Sequence, residues 1–253
     1  MAFGSQHRVL IASLTLLLMG AVQNDAKINE ALTIFNQAKY LHQEGRLDEA
    51  IEQYQASLKL DKENPWIFNA MGLAMTAAGD LKGAEKAFQT AIKLNMDLTD
   101  VHNNLGVLYS EMGNKERAFA EFTTVIRDPN YPTPEKALYN MGSLYFREKS
   151  YELAMMYYRR SVERKPKFAM GYRGLGEIHV ALGEPEVALE QFDKALENDP
   201  SDVPSLYESA RIHDERGDVA EARAYYRRVV EAARFSTLGK ISLERLAALK
   251  PGT

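Results

Sequence analysis

Small, apolar and aromatic positions recur along this chain with a fixed period. Ala50, Ala84, Ala118, Ala154, Ala188 and Ala222 are spaced 34, 34, 36, 34 and 34 residues apart. Four residues after each alanine stands an aromatic: Tyr54, Phe88, Phe122, Tyr158, Phe192 and Tyr226. Five residues before each stands Gly45, Gly79, Gly113, Lys149, Gly183 or Gly217. Twelve before each stands Ala38, Gly72, Gly106, Gly142, Gly176 or Ala210. The pattern predicts six helical hairpins. The small residue lets the first helix approach the second closely. The glycine supplies the positive φ at which the first helix ends. The alanine sits where the helices cross, and the aromatic one turn later fills the space between consecutive hairpins. Each hairpin leaves an apolar face that only the next can cover, so the hairpins must stack.

Period and residue pattern resemble the tetratricopeptide repeat. The resemblance implies an all-α protein, an α-solenoid forming a right-handed superhelix. Its six repeats would be 31–64, 65–98, 99–134, 135–168, 169–202 and 203–236. Pro166 and Pro200 match the family's inter-repeat proline. Two departures stand out. Lys149 occupies a turn-glycine position, at some cost in turn stability. Residues 128–134 carry three prolines, which indicates a stiff extended connector. After the sixth repeat, Ser242 is expected to cap a last helix within 242–250. Leu243, Leu246 and Ala247 would share its face against the array.

The first 26 residues read differently. Arg8 ends a mostly polar start, and an apolar run spans Val9 to Val22. Its 14 residues are fewer than the roughly 20 needed to cross a bilayer as a helix. A basic start, a short apolar stretch and a polar exit form the pattern of a signal peptide or export segment. Leu18-Met19-Gly20 resembles a bacterial lipoprotein box in which Ala21 stands where the lipidated cysteine would be. Membrane contact through this end would need that cysteine. The expected location is the periplasm or the inner face of the outer membrane.

Composition narrows the chemistry further. The 253 residues contain no cysteine, which removes disulfides, thiolate metal sites and cysteine nucleophiles. The net charge of −4 asks for no nucleic-acid partner. His179 and His213 share one repeat position beside Asp214, but zinc wants three or four ligands and that position faces the space between helices. No catalytic motif occurs, so neither an enzyme nor a cofactor site is expected. One dense basic cluster, Arg159, Arg160, Arg164, Lys165 and Lys167, reads either as a solvated face or as a site for an acidic partner.

The family resemblance places binding on a concave face lined by the first helices. The candidate partner-binding residues at groove positions are Trp66, Asn69, Asn103, Asn104, Tyr139, Asn140, Phe146, Arg147, Arg173 and Tyr207. Asparagines can donate to and accept from an extended peptide, and aromatics beside them supply burial without charge. Trp66, the one tryptophan, suits either a binding hot spot or packing between the first two repeats. The basic groove residues that grip a C-terminal carboxylate in some relatives are missing.

The stretch Tyr131-Pro132-x-Pro134-Glu135-x-Ala137-x-x-Asn140-x-Gly142, together with the export segment and the repeats, is similar to the pilotin lipoproteins of type IV pili. That resemblance implies a non-catalytic partner of outer-membrane secretin subunits that aids their localisation and assembly. Pilus extrusion and twitching motility would depend on it. The alternative is a scaffold or adaptor for a different envelope client held in the same groove.

Overall fold

In a computed structural model, residues 23, 25–95 and 97–249 are described. The apolar run Val9–Val22, with Ala21, lies outside them. The described residues are helical with connecting turns and contain no strand. No described helix is long and apolar enough to cross a membrane.

The chain divides into two compact units, Met1–Glu121 and Phe122–Thr253. Unit 1 contains α1 (25–43), α2 (Leu47–Leu60), α3 (Pro65–Ala77), α4 (Leu81–Leu94) and α5 (Thr99–Glu111). The division falls inside α6 (Lys115–Arg127). Unit 2 contains α7 (Pro134–Arg147), α8 (Tyr151–Arg164), α9 (Ala169–Ala181), α10 (Pro185–Asn198), α11 (Val203–Arg216), α12 (Val219–Ala233) and α13 (Thr237–Ala248). Within each unit successive helices pack as hairpins, and each hairpin packs on the next.

The turns explain the hairpins. Gly45, Gly79, Gly113, Gly183 and Gly217 have φ between 74° and 84°, and Lys149 has φ 59°. One residue beyond each, a backbone N–H donates to the carbonyl five residues earlier, as from Asp80 to Met75 (2.9 Å) and from Ser150 to Tyr145 (3.0 Å). This bond closes the first helix, and the donating residue is itself the N-cap of the second. Lys149 therefore holds a left-handed conformation without glycine's freedom, at about 1–2 kcal/mol.

The periodic alanines are fully buried, as are Tyr54, Phe88, Phe122, Tyr158 and Phe192. Their rings do more than fill the space between hairpins. Phe88 lies against Gly72 and Phe192 against Gly176, each within its own hairpin: a Cβ at either glycine would stand 2.6 or 2.5 Å from a ring carbon. Tyr158 lies between Gly142 of its own hairpin and Gly174 of the next, where a Cβ would approach to 2.6 and 2.7 Å. The small position thus admits the ring as well as the neighbouring helix.

Two expectations change. The last helix starts at Thr237, so Ser242 lies buried inside α13 and does not cap it. Ser236 is the cap, accepting from the Gly239 N–H at 3.0 Å. Gly239 permits this tight entry, because a Cβ there would meet the Ala233 carbonyl oxygen at 2.1 Å. The connector after α6 also ends one residue early: Pro134 is the first residue of α7, where its missing N–H costs nothing.

Candidate functional site

The ten candidate groove residues all lie on the first helices of the hairpins, and the two units use them differently.

In unit 1, α1 and the start of α3 frame a cleft of ≈ 240 Å³ lined by Ile28, Leu32, Phe35, Trp66 and Ile67, with Asp61 and Asn64 at its rim. The side chain of Asn64 caps α3, accepting from the Trp66 N–H at 3.0 Å, and so sets where the indole starts. Trp66 is 53% exposed and Leu32 54% exposed. Trp66 thus walls a cleft between the first two hairpins and keeps half its surface free. Ile28, Leu32 and Phe35 fall at i, i+4 and i+7 of α1, one stripe that nothing in the groove pattern flagged. Farther along, the Asn104 amide donates to the Asn69 oxygen at 3.0 Å, joining α5 to α3. Asn103 is half-buried one position before it.

In unit 2 the same register adds charged residues to the aromatics. Arg173 of α9 donates through Nη1 to Asp202 Oδ1 at 2.5 Å and through Nη2 to the Tyr139 hydroxyl oxygen at 3.2 Å. Its Nε stands 3.7 Å from Glu177. The Arg173 and Asp202 side chains are only 15% and 7% exposed. Asp202 in turn caps α11, accepting from the Ser205 N–H at 3.1 Å. Burial pushes the Glu177 carboxyl above the usual carboxylate range; Arg173 opposes this, and Glu208 and Asp202 add to it. Tyr139 packs on Tyr158 (ring centroids 5.3 Å apart) and Phe168 (6.0 Å). Of the other candidates, Tyr207 meets Tyr226 at 6.2 Å and Phe146 meets Tyr151 across its hairpin at 5.8 Å. Asn140 is half-buried and Arg147 exposed.

Sequence reasoning missed Glu135. It is buried and bound by Lys165 at 3.1 Å, which ties one member of the basic cluster to the start of α7. His179 and His213 serve the turns. His179 Nδ1 is 2.7 Å from Glu184, and His213 Nδ1 is 3.2 Å from Asp218; each pair joins a first helix to the start of its second. Among the described residues no group of three or more histidines or carboxylates could hold a metal ion.

Stacked hairpins whose first helices present half-exposed aromatic and amide groups define a helical-repeat scaffold. Tetratricopeptide-repeat models match residues 38–79, 99–127, 135–168 and 173–237. This chain is a tetratricopeptide-repeat protein, and its role is that of a protein-interaction scaffold of a generally non-catalytic family. Two similar solved structures are PilW, described as a widely conserved type IV pilus biogenesis factor, and PilF of Pseudomonas aeruginosa. PilW is 20% identical with a TM-score of 0.69, covering 84% of this chain and 98% of that one. PilF is 16% identical with a TM-score of 0.67, covering 88% and 99%. Among curated proteins, the CTR9 homolog of Arabidopsis thaliana is 25% identical over 210 residues, 78% of this chain and 19% of that protein. The chain spans about a fifth or less of the length of the curated relatives it matches.

Proposed function

We propose that this protein is a pilotin: it binds subunits of the type IV pilus secretin and promotes their localisation and assembly in the outer membrane. One observation carries the reading. The helical array matches PilW and PilF over 98% and 99% of their chains. The apolar run Val9–Val22 supports a place in the periplasm or at the inner face of the outer membrane. The cleft at Trp66 suits an apolar side chain of the client, with Asn69 and Asn104 able to exchange their mutual hydrogen bond for bonds to a client backbone.

The test is the amount of detergent-resistant secretin multimer in a host lacking this protein. Multimers should disappear while secretin monomers persist, and the wild-type chain should restore them. Restoration by a chain carrying Trp66→Ala, Asn69→Ala and Asn104→Ala would refute the placement of the client. Normal multimers in the host lacking the protein would refute the pilotin reading and favour a scaffold for another envelope client.

A further inference from the structure

We propose that the outer face of unit 2 is a self-complementary interface through which two copies of this chain associate about a two-fold axis. The helices concerned are α8 and α10, the second helices of successive hairpins, both packed on α9. They carry opposite charge. On α8 the exposed side chains include Arg159, Arg160 and Arg164. Among the described residues neither Arg159 nor Arg164 has an ion-pair partner, and Arg160 lies over the Tyr157 ring, 5.8 Å from its centroid. Glu152 and Glu163 temper this charge without cancelling it. On α10, Glu186, Glu190, Asp193 and Glu197 fall at i, i+4, i+7 and i+11, so they form one exposed acidic stripe, with Lys194 on its flank. Glu186 is paired with Arg216 and Asp193 accepts from the Tyr225 hydroxyl, but among the described residues Glu190 and Glu197 have no cationic partner.

An apolar cleft accompanies the charge. It measures ≈ 440 Å³ and is floored by Tyr151, Met155, Met156 and Leu182, with Arg159 and Arg160 interleaved with Glu152 and Glu163 on its rim. Met156 and Leu182 are 41% and 46% exposed. Apolar surface rimmed by charge marks a contact site more than a solvated helix face.

The two signs select the occupant. An anionic bilayer or a nucleic acid would satisfy α8 and be repelled by α10. A purely acidic peptide would cover only the first. A second copy turned about a two-fold axis offers α10 to α8 and α8 to α10 at once, and the two apolar floors cover each other. An isologous interface needs this self-complementarity. Opposed charge rows also fix the register and disfavour parallel stacking of like helices.

The test is sedimentation equilibrium of the full chain over a range of concentrations at low and high salt. A monomer–dimer equilibrium should appear, and salt should weaken it by about 10-fold or more, since rim charges are screened. Arg159→Glu with Arg160→Glu should weaken it at least ~10-fold, and so should Glu190→Arg with Glu197→Arg. An equimolar mixture of these two double variants should restore a one-to-one dimer, because both contacts then pair opposite signs. A chain that stays monomeric at every concentration overturns the proposal, as does a mixture that fails to pair while both variants keep wild-type circular dichroism. A salt-insensitive wild-type dimer also overturns it, and this arm decides if a variant fails to fold. Binding of the monomer to phosphatidylglycerol vesicles but not phosphatidylcholine vesicles, lost in Arg159→Glu/Arg160→Glu, would assign the face to an anionic membrane instead.

Discussion

On the first helices of unit 1, the side chains at groove positions are Trp66, Asn69 and Asn104; in unit 2 the same register holds Tyr139, Arg173 and Glu177, with Asp202 at the foot of α11. The backbone module is one and the same. In unit 1 the groups are uncharged, half-exposed and joined by a single amide hydrogen bond. In unit 2 all but Tyr139 carry a carboxyl or guanidinium group, and they are mostly covered and bound to one another. A neutral amide pair is worth about 0.5–1.5 kcal/mol net and can be traded for bonds to a partner. A buried carboxylate stripped of its guanidinium cannot be left that way cheaply. Groove residues of a repeat protein thus fall into those left half-exposed and those spent on holding neighbouring hairpins together, and position in the repeat does not say which.

The sharpest way to break this comparison is to truncate both grooves. Arg173→Ala should destabilise the protein by about 2–3 kcal/mol, since it orphans Asp202 and loosens the α11 cap. Asn69→Ala should cost under about 1 kcal/mol. Urea unfolding followed by circular dichroism measures both, and equal losses would erase the distinction. Next in size, Trp66→Ala should leave the urea midpoint nearly unchanged yet weaken client capture by about 10-fold, as exposed anchors do. Titration against a purified secretin fragment is the measurement, and unaltered affinity would move the binding surface away from unit 1. Smaller again is Lys149→Gly, which should stabilise by about 0.5–1 kcal/mol by relieving the left-handed lysine, less glycine's own entropic cost.

The smallest effect is a pH dependence. Glu177 has a raised pKa, so the folded protein holds this proton more tightly than the unfolded chain does. Its contribution to stability is full below the ordinary carboxylate value and is lost as pH rises through the folded value. Glu177→Gln should therefore raise the melting temperature at neutral pH, and the gain should vanish below about pH 4. A gain that persists in acid would mean that the carboxyl is not desolvated and that unit 2's groove is more open than its packing shows.

Much of the fold could be read in advance, because it rests on local rules repeated six times. A glycine five residues before an alanine marks a helix end whatever the neighbours are, and Lys149, standing in that register, takes the same left-handed turn. The start of α13 could not be read this way. Gly239 looks like a helix breaker until the Ala233 carbonyl beneath it shows why a side chain is excluded. The Ile28–Leu32–Phe35 stripe was equally hidden, since its meaning depends on the indole of α3 arriving beside it.

What the sequence determined by itself is the period, the six turns, the buried alanine–aromatic rows and the absence of any cysteine chemistry. These follow from the chain's own dihedral preferences and the spacing of its apolar residues. What only the tertiary structure decided is the use of each polar group. Arg173 and Asp202 are 29 residues apart, Glu135 and Lys165 30, and Asn69 and Asn104 35. Whether such groups meet each other or remain for a partner depends on how one hairpin seats on the next. That seating is set by side-chain volume at the crossings, such as the Tyr158 ring held between Gly142 and Gly174.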